Sequence, residues 1–501
     1  NSTLISVKCP VDVTVYDNDG NICGMVRNNV VDTLYSDVFI NVVGDQKNIY
    51  LIGDDYTFTL SGTDSGTMDY VVTEFDESGN KTREITYSNI ELSNGCKYYS
   101  YVPEAENHNS SLFGLTDREG NIISATTGMD YDFDVTDSGK CGDNAYWALY
   151  NDGTLYISGT RAMYNPYYRE DVPWYYYRSI IKSVTISNDV TTIGDFAFID
   201  CSNLESVKIG NSVTTIGNSA FSGCTSLTSI TIPDSVTIFG NGAFEDCTNL
   251  TNIVIPENVT SIGYDAFCDC TSLTSISIPD KVTNIGIYTF SGCTNLMSVI
   301  IGNRVESISH RAFYNCQNLT NITIPDSVTS IDGEAFFGCT SKLCKINYKG
   351  TLDKWAEIKF KDYASNPLNY GNYLYINDEL VTQARLTETK IINTWAFLRC
   401  KSLTSVIIGN SVASIGDCAF RDCTNLTNII ITDSVTSIGS SAFIGCTSLE
   451  SLTIPNSVTS IGNDAFIGGK GLKSVMIPDS VIDIGECAFG YYIDDKNYSV
   501  V

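Results

Sequence analysis

A chain of 501 residues is too long for one compact core, so several domains or one elongated array are expected. Hydrophobic residues make up 43% and charged residues only 18%, which leaves the polar surface to Ser, Thr and Asn and suits strands better than surface helices. A net charge of −28 repels nucleic acid and anionic membranes, and no run of about 18 apolar residues offers a membrane span, so nucleic-acid partners and membrane insertion are both excluded as expectations.

The charge is uneven. Residues 1–140 hold 23 Asp+Glu against 8 Lys+Arg, a balance of −15, and this stretch reads as a separate acidic module over 1–137. Residues 11–15 and 56–60 alternate apolar and polar with period two, and DNDGN at 17–21 and DESGN at 76–80 read as hairpin turns, so a β-sandwich is expected. Asp17, Asp19, Asp54, Asp55, Asp130, Asp132 and Asp134 offer the hard oxygens that calcium takes, but the same Asp-rich pattern is ordinary hairpin chemistry and EF-hand spacing is absent. No other cofactor is expected. Asn1 opens on a mature-looking segment, so the expectation is that a leader has been removed. Residues 137–140 read as a linker. Residues 141–180 are rich in aromatics, among them Tyr146, Trp147, Tyr164, Trp174 and Tyr177, and read as a cover for the first coil of a repeat array.

From there the chain repeats. Phe198, Phe221, Phe244, Phe267, Phe290, Phe313 and Phe336 recur with an unbroken 23-residue period, and the register resumes with Phe397, Phe420, Phe443, Phe466 and Phe489. One unit reads Leu227, Ile230, Ile232, Pro233, then Val236, Gly240, Ala243, Phe244 and Cys247. Leu227, Ile230 and Ile232 fit a short strand with inward apolar side chains. Pro233 cannot donate to a ladder, and Asp234 and Ser235 supply turn chemistry. A unit this short cannot bury its own apolar face, so successive units must stack, like position on like. A mainly β fold is therefore expected, with the sandwich followed by a curved solenoid of short parallel strands over 181–491.

The phrase Ile-Pro-Asp-Ser-Val-Thr-Ser-Ile-Gly-x-x-Ala-Phe-x-Gly-Cys-Thr-Ser-Leu, nearly verbatim at 324–340 and 454–467, resembles the BspA-like leucine-rich-repeat family of surface proteins. Residues 152–163 and 173–175 resemble the stretch that precedes such arrays in gut-dwelling bacteria. The resemblance covers most of the chain, from Asp152 onward. It implies a bacterial protein, extracellular or at the cell surface, of the adhesin or host-interaction kind. The partner it implies is a protein ligand, a host matrix component or a neighbouring surface protein. The family's ligands vary, so no binding residue is carried over.

Two stretches leave the period. Phe336 and Phe397 stand further apart than two repeats require, so 342–396 reads as one degenerate coil with an insertion shorter than a repeat. Residues 342–401 carry 10 Lys+Arg against 6 Asp+Glu. Of the 18 cysteines, ten stand three residues after a repeat Phe, from Cys201 to Cys446. Two readings stand, an inward column of small hydrophobes and disulfides between coils, and titration of the denatured, unreduced protein decides between them. Evenly stacked thiols do not make a tetrahedral metal site.

Catalytic signatures are missing. The two histidines, His108 and His310, are isolated, and no Ser-His-Asp set, Walker loop or G-x-S-x-G elbow appears. A non-enzymatic binding protein is expected. Its candidate contacts are the outward residues between the last two strand anchors: Lys208, Thr231, Val254, Ser277, Ile300, Thr323, Ile407, Ile430, Thr453 and Met476. Trp355, Tyr363 and Tyr370 of the insertion join them, because excursions from a rigid scaffold often carry function. A structural spacer and a glycan-binding module are the alternatives.

Overall fold

The computed structural model describes residues 2–8, 11–17, 21–33, 38–43, 46–52, 56–75, 81–92, 96–102, 115–117, 122–123, 127–128, 135–159, 161–340, 345–469, 471–472, 475–494 and 497–500. The chain falls into two compact units, Asn1–Gly217 and Asn218–Val501. It is mainly β, and among the described residues no helix is long and apolar enough to cross a membrane.

The first unit begins with two antiparallel sheets. One runs Thr127–Gly128, Lys81–Leu92, Gly66–Phe75, Ser2–Lys8, Gln46–Ile52, Val38–Val43, and the other is built around Lys97–Val102, Tyr56–Gly62, Val11–Tyr16 and Ile22–Arg27. The period-two pattern works as read: Val11, Val13 and Val15 are buried while Asp12 and Thr14 are part-exposed. Ile5, Val7, Leu51, Tyr70 and Val72 of the first sheet share one core with Val13, Val15, Phe58 and Leu60 of the second. Asp17 closes its hairpin, accepting the Asn21 backbone N–H at 2.8 Å. The other six aspartates considered for calcium lie outside the described residues, as do His108 and the turn at 76–80.

Residues 137–140 are not a linker. Val135–Lys140 pairs antiparallel with Ala145–Tyr150, which pairs antiparallel with Thr154–Gly159. The local reading failed because Ser138 and Gly139 suggest a turn, whereas cross-strand pairing with Ala148 and Trp147 holds them extended. Thr154–Gly159 then pairs in parallel with Ser183–Ile186, and that strand with Ser206–Lys208. The meander thus becomes the first rung of the parallel ladder. Above it Trp147, Trp174 and Tyr177 cluster, and Trp174 lies flat on Phe198, with ring centroids 5.9 Å apart and planes 20° apart.

The second unit is a stack of coils. First strands of successive coils pair in parallel within several short sheets, as Ser275–Ser277 does with Ser298–Ile300, and that with Asn321–Pro325. A second, two-residue strand forms its own ladder, for example Asn284–Ile285, Ser307–Ile308 and Ser330–Ile331. A third column joins the turns: the Phe244, Phe267 and Phe290 amides donate to the carbonyls of Ala266, Thr289 and Ala312 at 2.8–2.9 Å. Threonine hydroxyls copy the pattern, Thr320 donating to Met297 and Thr427 to Thr404.

Inside, Phe221, Phe244, Phe267, Phe290 and Phe313 are fully buried. Successive rings lie 5.3–5.4 Å apart with planes within 3–7°, an offset stack worth more than its area alone. The column resumes at Phe397, with centroids 5.1–5.3 Å apart through Phe489. Gly263 shows why the Ile-Gly step is tight: a Cβ there would sit 2.5 Å from the Asn241 backbone nitrogen.

The sixteen described cysteines are free thiols. Those of the repeat column are buried, and they do more than fill space. Cys270 Sγ donates to the Phe244 carbonyl, Cys293 to Phe267 and Cys423 to Phe397, each at 3.1 Å. Each thiol therefore ties its coil to the turn of the coil before.

The long gap between Phe336 and Phe397 is filled by one irregular coil and a hairpin. Lys345–Lys349 and Lys359–Phe360 extend the two ladders, and the Phe336 amide reaches Ala364. Ser365 stands where the other coils have Phe. Tyr373–Ile376 adds a strand, then folds back antiparallel on Glu379–Leu380, and the parallel ladder restarts at Gln383–Leu386. The short helix Leu352–Ala356 holds that restart: Asp353 Oδ1 accepts the backbone N–H groups of Thr387, Glu388 and Thr389, all at 2.9 Å.

Candidate functional site

The outward residues of the first ladder form a row because side chains alternate across a strand. In the second unit Ser277, Ile300 and Thr323 are in register, Ile407 faces Ile430, and Thr453 faces Met476. Lys208 holds the equivalent place in the first unit, beside Thr185. Thr231 and Ser277 are exposed, as are Val254 at 72%, Ile300 at 52%, Ile430 at 47% and Met476 at 77%, whereas Lys208, Thr323 and Ile407 are part-exposed. The apolar members do not merge into one patch. Ile300 stands between Ser277 and Thr323, and only Ile407 and Ile430 adjoin.

Sequence reading left three members out. Asn347 and Tyr375 continue the row beyond Thr323, and Arg385 stands beside Ile407. The irregular coil hid them, although KINYK at 345–349 and YLYI at 373–376 keep the alternation that marks a strand. This part of the row is polar. Lys345 and Lys349 converge on Asp378 at 2.7 and 2.5 Å, the two ammonium groups hold its carboxyl down at about 2, and Lys345 sits 4.9 Å over the Tyr375 ring. Lys354 pairs with Asp326 at 2.5 Å. These pairs absorb part of the insertion's positive excess, while Lys359, Lys361 and Lys390 remain exposed.

Of the insertion's aromatics, Tyr363 is 50% exposed, and Tyr370 is part-buried with its hydroxyl accepting the Gly338 N–H. Trp355 departs from the expected contact role: it is fully buried, and Nε1 donates to the Ala396 carbonyl at 2.8 Å. The reason is a missing donor. In regular coils the carbonyl before each Phe accepts the amide of the preceding coil's Phe, and the coil before Phe397 has no such Phe. Trp174 meets the same need at Ala197, with Nε1 at 2.5 Å. Each indole replaces an absent rung. The Asn366 amide also donates to the Ala396 carbonyl, at 3.3 Å, so Trp355→Phe removes the shorter of two hydrogen bonds and is expected to cost about 0.5–1.5 kcal/mol, read as a urea midpoint shift. An unchanged midpoint would show that the Asn366 amide alone satisfies the carbonyl.

Among the described residues no three His, Cys, Asp or Glu side chains are grouped to hold a metal ion. The surface offers shape, small hydroxyls and scattered aliphatic contacts.

A family model described as the BspA type leucine rich repeat region matches residues 173–297, 260–378 and 369–494. Solved structures with similar chains include a leucine-rich repeat protein from Bacteroides ovatus, 28% identical, covering 66% of this chain and 80% of that one with a TM-score of 0.44. A leucine rich cell surface protein from Faecalibacterium prausnitzii is 27% identical and covers 73% and 96%, with a TM-score of 0.36. A leucine rich repeat protein from T. pallidum is 30% identical over 34% of this chain and 86% of its own, with a TM-score of 0.28. Among curated proteins none matches the chain.

Proposed function

The chain belongs to the BspA-type leucine-rich-repeat family, and from that premise we propose that it is a non-enzymatic binding protein, secreted or held at the cell surface, which presents the outward row of its first ladder to a protein ligand. The observation that carries the reading is the exposure of Val254, Ile300, Ile430 and Met476 at one position of successive coils. Val and Ile favour strands in their own right, so the contact role rests on how far the side chains stand out, Val254 at 72% and Met476 at 77%, where Ser277 and Thr323 hold the same position. A surface of this kind gains affinity by burying those points within a polar rim. The family resemblance to surface proteins supports the extracellular placement.

The test is binding of the full chain to an array of host extracellular-matrix proteins, followed by the double variant Ile300→Asp, Ile430→Asp. Both residues are exposed, so the change is expected to leave stability within about 0.5 kcal/mol and to weaken binding at least about a hundredfold, at roughly 1.4 kcal/mol per decade. Binding that survives the double variant would remove the row from the function. Silence across the array would favour a spacer without a dedicated protein ligand.

A further inference from the structure

Within the unit Asn218–Val501 the coils share one backbone plan, so residues at one column position can be compared coil against coil. The position before the Ala of each Ala-Phe pair is Ser, Gly or Asp at 219, 242 and 265, and Cys, Ser, Asp or Cys at 418, 441, 464 and 487. Between these runs it is Tyr288, Arg311, Glu334, Tyr363 and Trp395. Ala364 takes the ladder place of Ala335, which puts Tyr363 in the column, and its ring meets Trp395 at 6.3 Å. Large residues thus form one uninterrupted block.

The fold does not ask for them. At four of the five positions the backbone is left-handed, with φ of 55° at Tyr288, 53° at Arg311, 55° at Glu334 and 67° at Trp395. That region favours glycine and short polar residues, the kinds found in most other coils. Nor do the side chains fill the core, for all five are at least part-exposed. They are tied to one another instead. Arg311 Nη1 donates to the Tyr288 hydroxyl at 3.0 Å, Nε pairs with Glu334 at 2.7 Å, and the guanidinium lies 5.0 Å from the Tyr314 ring centroid. Tyr314 stacks on Phe337 at 5.4 Å. The borders of the block are open: Tyr264 is 52%, Phe337 39% and Tyr363 50% exposed.

We infer that this lateral strip, from Tyr264 to Trp395, binds an extended neutral oligosaccharide. Sugar rings present C–H faces that pack on aromatics and hydroxyls that need both donors and acceptors. The strip supplies rings at both ends, with Arg311, Glu334 and His310 between. Because Arg311 and Glu334 neutralise each other, the strip offers hydrogen bonds without the net positive charge a polyanion would require. The coils advance 5.3–5.4 Å at each ring of the neighbouring Phe column, close to the length of one pyranose in an extended chain. The strip is separate from the outward row and does not depend on it.

The test is titration of the full chain with cellohexaose, xylohexaose, mannohexaose and chitohexaose, followed by calorimetry and by Trp fluorescence. At least one hexasaccharide is expected to bind saturably, and its trisaccharide at least about tenfold more weakly. The double variant Tyr288→Ser, Tyr363→Ser installs a residue this column already uses elsewhere, so it should fold and melt as the parent does while losing at least about tenfold in affinity. Ile300→Asp with Ile430→Asp should leave sugar binding unchanged. No saturable response to any of the four sugars overturns the inference, and so does binding that the Tyr288, Tyr363 variant leaves intact.

Discussion

Replacing Phe267 by alanine is expected to lower the unfolding free energy by about 3–5 kcal/mol. The ring is fully buried and stacks on Phe244 at 5.4 Å and on Phe290 at 5.4 Å, with Phe239 edge-on at 6.0 Å. Truncation leaves a cavity whose walls are other rings held by their own ladders, so collapse into it is hindered. A coil contacts only its neighbours, and the loss should loosen the two adjoining interfaces before it reaches the ends. Urea unfolding against the exposed control Glu257→Ala, expected within about 0.5 kcal/mol, measures the difference. Equal midpoints would mean that the Phe column is not the stack described.

Alkali should unfold the array through its thiols. Burial pushes Cys247 and Cys446 up to about 12, and Cys270, Cys316 and Cys423 well above their ordinary value. An unfolded thiol releases its proton near 8.5. Above that pH the unfolded chain binds fewer protons than the folded one, so stability present below it is lost as pH rises toward the folded values. Each thiol removes about 1.4 kcal/mol per pH unit, and five together about 7 kcal/mol. Against a usual total of about 5–15 kcal/mol, unfolding within about one to two units above pH 8.5 is expected. Circular dichroism across that range checks it, and Cys270→Ala with Cys316→Ala should move the transition upward. A native spectrum persisting to about pH 11 would contradict the burial of these groups.

The repeat fold was legible because one residue type, Phe, marks each coil at an invariant interval, and because Leu227, Ile230 and Ile232 carry strand alternation beside it. The free state of the column cysteines followed one of the two readings, yet the hydrogen bond from a thiol such as Cys270 to the Phe carbonyl of the coil before did not, since it reaches across to a neighbouring coil and needs the stack to exist. Trp355 was misjudged for a related reason. Its value lies in a carbonyl at Ala396 that no periodicity announces, and an aromatic in an irregular, basic stretch looks like a contact residue until that carbonyl is placed. Asn347, Tyr375 and Arg385 escaped because the Phe marker vanishes at Ser365, so the register is lost to view although the strands continue. The lateral block from Tyr288 to Trp395 was written in the sequence too, but only a column-by-column reading sets large residues against the small ones that the left-handed backbone prefers.

The column of turn hydrogen bonds has a direction. Turn amides of one coil donate to carbonyls of the next, as Phe244 does to Ala266, and the indole of Trp174 occupies the carbonyl at Ala197, where no earlier Phe could reach it. A nascent chain emerging from the ribosome therefore meets its own finished predecessor as a mould, with donors already aimed at the segment about to arrive. Folding can keep pace with translation, coil after coil, without waiting for distant residues. Duplication or loss of one whole regular unit in the gene would lengthen or shorten the stack by one step and leave the Phe stacking and backbone ladders of the regular junctions in register.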